Sequence, residues 1–210
     1  KPVEKIVFIS SSKNAQSIIH RTEIITRNTF LCRDMINDTS DSINPVSFAE
    51  SAAAISKKSG LKCTVLNREK IESKKMGLLL AVNRGSLIEP RVVKIEYRGD
   101  VENPKVIGVI GKGITFDSGG MNLKPSGSME TMRSDMSGAA TVLCVMKSLA
   151  ELKVKRNVTA VIPLTENMLS GNAYRPGDIY RSYKGLTVEI GNTDAEGRLI
   201  LADAIAYMEK

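Results

Sequence analysis

Four acidic residues, Asp117, Asp135, Asp194 and Glu196, lie in or beside glycine-rich or turn-prone segments. Any one of them alone reads as an ordinary turn or cap acid, a place Asp commonly fills. Brought together, they would repel one another and resist ionisation. Divalent cations remove that conflict, and two cations would need shared, bridging oxygens. Oxygen ligands with no Cys or His among them suit Mg2+ or Mn2+ by hardness, and Zn2+ or Co2+ are also compatible. The chemistry these residues point to is therefore cation binding.

The first of the four, Asp117, lies in the stretch GKGITFDSGG, Gly111–Gly120, which follows the apolar run Val106–Ile110. A phosphate-binding loop requires G-x-x-x-x-G-K-[ST]. Here Val106 stands in place of its first glycine and Gly113 in place of the magnesium-holding hydroxyl residue. The string Asp117-Ser118-Gly119-Gly120 is similar to the nucleophile loop of chymotrypsin-type serine proteases, but that mechanism needs a histidine base. The one histidine, His20, falls inside a helical pattern with no nucleophile beside it. Both readings fail, and the metal reading stands.

The string Asn192-Thr193-Asp194-Ala195-Glu196-Gly197-Arg198-Leu199, taken with Lys112–Gly120 and Lys124, closely resembles the leucyl aminopeptidase family of metallopeptidases. The resemblance is strongest over about residues 105–207. It continues more weakly back to residue 14, through Arg33–Asn37 and Ala81–Gly85. It implies a metal-dependent exopeptidase that removes N-terminal residues, leucine and other apolar ones preferentially, from peptides with a free N-terminus. It also implies two divalent ions per chain, Zn2+ or Mn2+ with Co2+ or Mg2+ as alternatives, which generate a hydroxide nucleophile. Residue by residue, Lys112 would ligate one metal, Asp117 would be shared by both, and Asp135 would bind the first. Asp194 would bind the second, and Glu196 would bridge the two. Lys124 would be the cation near the scissile carbonyl, and Arg198 would hold a bicarbonate acting as general base. Met132 and Asn192 would line the substrate pocket. The family further implies a homohexamer.

These roles are physically coherent. A lysine ligates a metal only as a neutral amine, so its pKa must fall, as adjacent cations and burial would cause. Lys124, outside the metal shell, can stay protonated and polarise a developing oxyanion. The site has no His and no spare carboxylate to act as base, a gap that an anion held by Arg198 fills.

The surrounding sequence alternates strand and helix patterns, which predicts an α/β fold with a mixed or parallel sheet flanked by helices. Lys5–Ser10 reads as a buried strand, and Ser12–Asn14 opens a helix running to Met35. Asn44-Pro45 starts a second helix, Val46–Lys58, ended by Gly60. Leu61–Leu66 and Arg91–Tyr97 read as strands, Glu69–Lys75 as a short helix, and Ala81–Pro90 as turn-rich. Val106–Ile110 and Val158–Leu164 have the composition of central strands buried on both faces. Gly111–Pro125 reads as loop, Met129–Leu152 as a helix interrupted at Gly138, and Leu199–Met208 as a closing helix. In an extended 194–198 segment, Asp194, Glu196 and Arg198 would share one side. In domain terms, residues 1–13 are expected to be the trace of an N-terminal domain, 14–36 a linking helix, and 37–210 a catalytic domain whose C-terminal part is absent.

The remaining composition narrows the class. Of 210 residues, 42% are hydrophobic and 25% charged, as in globular proteins, and only 4% are aromatic with no Trp, which argues against base-stacking or sugar platforms. Net charge is +7, concentrated in residues 1–100, which hold 17 Lys/Arg and 11 Asp/Glu. That half lacks the chemical motifs and any helix-turn-helix signal, so it reads as a solvated basic surface and nucleic acid is not an expected partner. Cys32, Cys63 and Cys144 form no C-x-x-C pair and are odd in number, which fits a reducing, cytoplasmic setting. The longest apolar run, Met76–Val82, is far too short to span a membrane.

Overall fold

The computed structural model describes residues 3–209. After an exposed extended segment come helices α1 (Ala15–Asn37) and α2 (Pro45–Lys58), strand β1 (Lys62–Leu66), and the short helices α3 (Arg68–Ser73) and α4 (Gly77–Asn83). Strands β2 (Arg91–Arg98), β3 (Val106–Ile110) and β4 (Gly113–Asp117) follow, then helices α5 (Ser126–Met129) and α6 (Ser137–Glu151). Strands β5 (Asn157–Asn167), β6 (Ile179–Arg181) and β7 (Thr187–Glu189) precede the last helix, α7 (Glu196–Met208).

The main sheet runs β1-β2-β5-β3, with β4 also on β5. Strand β2 is antiparallel to β1 and β5, whereas β3 and β4 are parallel to β5. The fold is thus α/β with a mixed sheet. Two apolar clusters cover its two faces. Phe48, Ala52, Leu143 and Met146 pack with Val93, Ile95, Ala160 and Ile162 on one side, and Ile71, Leu79, Val82, Ile200 and Ala204 pack with Val92 and Val161 on the other. The alternation of Val92 and Val93 between clusters is the period-two signature of a strand covered by helices on both faces.

Helix α2 begins as its sequence dictates. The Asn44 side chain accepts from Val46 and Ser47 N–H, the Ser47 hydroxyl accepts from Asn44 N–H, and Pro45 sits at the first helical position. Helix α4 has no side-chain cap of its own; its first amides are satisfied by Asp203 of α7. The buried Asp203 carboxylate accepts from Leu78 N–H at 2.9 Å, Leu79 N–H at 3.0 Å and Tyr183 N–H at 2.7 Å. Asp203→Ala would leave these amides without their acceptor, so a loss of about 2–4 kcal/mol is expected. Urea unfolding checks this. A midpoint unchanged from the parent would show that these bonds contribute nothing.

Several sequence expectations are corrected. Lys5–Ser10 is no strand; it is extended and exposed, because no partner strand lies beside it among the described residues. Val106–Ile110 is an edge strand rather than a central one, with Val106 44% and Ile107 52% exposed. A β-branched run reports apolar faces but not whether both edges are paired. The central position belongs to β5, flanked by β2 on one edge and by β3 and β4 on the other. Gly113–Asp117, read as loop, is strand β4, and the start of the turn-rich segment belongs to α4. That helix has buried residues on most of its faces, which hides the helical period. The 129–152 pattern divides into α5, a 3-10 turn (Met132–Met136) and α6.

Candidate metal centre

Strands β3 and β4 lie end to end along one edge of β5. Residues 106–110 pair with 157–161, and pairing resumes at Gly113 with Leu164. The break coincides with Pro163 of β5, which has no N–H to offer a neighbouring strand. Lys112 sits in this break, its carbonyl accepting from Ala139 N–H in the first turn of α6 at 2.8 Å. A second irregularity follows. Between the Ile114–Thr165 and Asp117–Asn167 pairs, β4 carries one residue more than β5. Bulges of this kind re-aim side chains, and this one sets Asp117 opposite Asn167.

The other acids come from helix starts. Asp135 is the penultimate residue of the 3-10 turn Met132–Met136, just before α6, and Glu196 is the first residue of α7. Both carboxylates therefore lie where helix amides and the helix dipole favour negative charge. Asp194 lies in a 3-10 turn (Thr193–Ala195) capped by Asn192, whose side chain accepts from Asp194 N–H at 2.8 Å. The expected extended 194–198 segment is therefore a turn followed by helix, and a shared side for 194, 196 and 198 does not follow from a period of two.

Asp117, Asp135 and Glu196 each bring an oxygen within 4.8 Å of the others. Lys112 Nζ reaches Glu196 at 2.7 Å and Asp135 at 2.9 Å. Lys124 Nζ reaches Asp194 at 2.6 Å and Asp117 at 3.0 Å, so the fourth acid joins the group through a lysine. Gly197 is what lets Lys112 in, since a Cβ there would lie 2.8 Å from its Cε. The turn at Gly119 and Gly120, both at positive φ, swings the chain back so that Lys124 faces Asp117.

The electrostatics of the group are those of charges taken out of water. Burial pushes the carboxyls of Asp135 and Glu196 up, against the pull of Lys112. Burial lowers Lys112 and Lys124, but the carboxylates beside each outweigh it and hold both above the ordinary lysine value. With N–O distances of 2.6–3.0 Å, the ionised pairs are the arrangement the geometry favours. Even so, the lysines do not satisfy every oxygen of the group. Of the seven buried side-chain atoms without a hydrogen bond among the described residues, four lie here, on Asp135, Asp194, Glu196 and Asn167. Asp135 Oδ2 and Asp194 Oδ1 are met by the Lys112 and Lys124 ammonium groups, at 2.9 and 2.6 Å, whereas Glu196 Oε2 has no hydrogen-bond partner among the described residues. Buried oxygens left over in an acidic group are what a divalent cation would satisfy. The residues present fit one.

The remaining expected residues are placed as follows. Arg198 is exposed, in the first turn of α7, and pairs with no group among the described residues. Met132 is half-buried at the start of the turn that carries Asp135, and Asn192 is exposed while capping Asp194. Sequence reasoning missed Asn167, Tyr174, Thr193 and Asn122. Thr193 and Asn122 bind each other reciprocally, Asn122 N–H to Thr193 Oγ1 at 2.8 Å and Thr193 N–H to Asn122 Oδ1 at 2.9 Å. The Tyr174 phenol, pushed well above its ordinary value by burial, stays protonated and donates to Thr193 O at 2.7 Å. The available signal was the polar end Thr165–Asn167 following the apolar run Ala160–Leu164 of β5, since α/β sheets place their sites at the carboxyl ends of strands.

No helix among the described residues is long and apolar enough to cross a membrane. Comparison with known proteins places the site in context. A probable cytosol aminopeptidase of Protochlamydia amoebophila (strain UWE25) is 45% identical over 206 residues, covering 98% of this chain and 41% of that protein. A probable cytosol aminopeptidase of Chlamydia trachomatis serovar A (strain ATCC VR-571B / DSM 19440 / HAR-13) is 44% identical over 210 residues, covering 99% of this chain and 42% of its own length. The chain thus spans about two-fifths of these relatives. Among solved structures, the bottromycin maturation enzyme BotP in complex with Mn superposes with a TM-score of 0.87 at 36% identity, over 93% of this chain and 42% of that one. The profile of the cytosol aminopeptidase family, catalytic domain, matches residues 30–210, which include every acid and both lysines of the centre, and to that family the chain belongs.

Proposed function

We propose that the protein is a metal-dependent aminopeptidase that hydrolyses the N-terminal residue of peptides, leucine and other apolar residues preferentially, with two divalent cations. The observation that carries this reading is the convergence of carboxylate oxygens of Asp117, Asp135 and Glu196 within 4.8 Å of one another, with the buried Glu196 Oε2 left without a hydrogen bond. Family membership and the manganese-bound structural relative support it. Lys112, Asp117, Asp135, Asp194 and Glu196 would hold the cations, Zn2+ or Mn2+ with Co2+ or Mg2+ as alternatives, and Asp117 and Glu196 would serve both. When bound, such cations supply Lewis acidity, a nucleophile from water near neutral pH, and a position for a free amine.

The chain's own residues do the rest. Lys124, cationic and only partly exposed, donates to the oxyanion that develops on the scissile carbonyl. Arg198, exposed and without a partner among the described residues, would hold a bicarbonate, which would supply the general base that the site's own residues lack. Met132 and Asn192, beside Asp135 and Asp194, bound the pocket for the substrate's first side chain. Assembly as a homohexamer and action in the cytoplasm belong to the same reading, and three free cysteines agree with the latter.

The test compares a leucyl peptide with its N-acetylated form. Acetylation removes the amine lone pair, so cleavage of the blocked peptide should fall to background while the free one is hydrolysed. Similar rates on both would make the enzyme an endopeptidase and end this reading.

A further inference from the structure

Asn167 is the last residue of β5 and is fully buried. Its amide nitrogen donates to Asp117 Oδ1 at 2.8 Å and to the Thr193 carbonyl at 3.0 Å. Thr193 directly precedes Asp194 and lies three residues before Glu196. One side chain therefore touches both acid-bearing segments, which the chain itself connects only through a long excursion. The orientation of the amide is not arbitrary. Turned over, its oxygen would face two acceptors, the Asp117 carboxylate and the Thr193 carbonyl.

The two donors come at a cost elsewhere on the same group. Asn167 Oδ1 has no hydrogen-bond partner and faces Gly120, where an added Cβ would lie 2.9 Å from it. A buried acceptor left unpaired is a poor choice for stability alone, and an apolar residue would avoid it. What the asparagine achieves is to differentiate the two oxygens of Asp117. Oδ1 receives Asn167 Nδ2 and also Gly119 N–H at 2.9 Å, which fills it. Oδ2, 3.0 Å from Lys124 Nζ, is the oxygen left to meet a cation. The β-bulge in β4 completes the arrangement, because it is what brings Asp117 into register with Asn167.

We propose that Asn167 is a positioning residue of the metal centre: it fixes which oxygen of Asp117 faces the cations and holds the Asp194–Glu196 segment at a set distance from it. This rests on the metal-centre reading above. Groups that orient ligands from behind in this way typically govern metal affinity by about 10- to 100-fold.

The experiment titrates Mn2+ alone into the protein by calorimetry, with thermal melts recorded in parallel. Asn167→Leu removes both donors at similar volume. Asn167→Ala serves as the second variant should the leucine form lack a cooperative melt. Tyr174→Phe is the control, since it removes the other donor to Thr193 O and leaves Asp117 untouched. The expected result is Mn2+ affinity lowered about 10- to 100-fold in the Asn167 variant, with Tyr174→Phe melting earlier but binding Mn2+ about as the parent does. Parent-like affinity in the Asn167 variant overturns the proposal. So does weakened binding in both variants in proportion to their lost melting temperature, which would mean a loosened loop and no specific positioning. A parent protein that binds no Mn2+ is a separate outcome: it removes the metal-centre reading, and this inference with it.

Discussion

Lys112→Arg is expected to empty the centre of metal and take peptidase activity down to the level seen in chelator. A cation can be ligated only by the neutral amine, and a guanidinium does not deprotonate. The substitution keeps the positive charge beside Asp135 and Glu196, so the ion pairs that hold those acids survive and the protein should fold. The loss should exceed the roughly 10- to 100-fold drop in affinity that losing an outer contact costs. The same logic fixes the pH dependence. Burial lowers the Lys112 pKa but its two carboxylate partners raise it further, so before binding the proton is on the nitrogen. An entering cation must displace that proton, and falling pH also protonates Asp135 and Glu196, which burial has pushed up. Both effects have one sign: apparent affinity rises with pH, with about one proton released per Lys112 engaged. Mass spectrometric metal content, together with calorimetry in buffers of different ionisation enthalpy, reads both quantities. Two metals retained by Lys112→Arg with normal turnover would remove Lys112 from the ligand set.

Lys124→Ala should do the reverse, lowering kcat on the order of 100- to 1000-fold, as removal of an oxyanion donor typically does, while metal binding persists. The structure sharpens this expectation. Lys124 Nζ stands against Asp117 and Asp194, so it competes with a cation for both, and its removal should leave affinity unchanged or increased. Lys124→Arg keeps the charge and should restore part of kcat. Steady-state kinetics at saturating Mn2+, set beside titrations of the same proteins, separates the two effects. A Lys124→Ala protein that lost its metal would instead make this lysine a structural partner of the acids.

Lys112, Asp117, Asp194 and Glu196 were legible in the sequence because each lies in a short motif whose spacing is local, whereas Asp135 lies in none and was singled out only as an acid beside a glycine-rich or turn-prone segment. Their grouping was legible only through family resemblance, since nothing in the spacing of 117, 135 and 196 says that three strand and helix ends converge. The helices with ordinary caps, α2 above all, were read nearly to the residue. Where the reading failed, the cause was nonlocal. Helix α4 takes its cap from Asp203, far along the chain. Strand β4 is short and glycine-flanked, and it is a strand only because β5 lies beside it. Asn167 carries no motif at all, and its role depends on a bulge that exists only in the paired sheet.

The convergence of separate segments at the centre has a consequence for the unfolded chain. Lys112 sits in the strand break, Asp117 ends β4, Asp135 precedes α6, and Asp194 and Glu196 lie at the start of α7, so the proposed ligand set draws together parts of the chain that are otherwise free to wander far apart. A cation shared among them would act as a cross-link that closes several loops at once, with the entropy of those loops lost only when the native arrangement forms. Metal affinity and folding free energy would then be two measures of one equilibrium. A weakened ligand would show itself as a less stable protein even where no packing contact had changed.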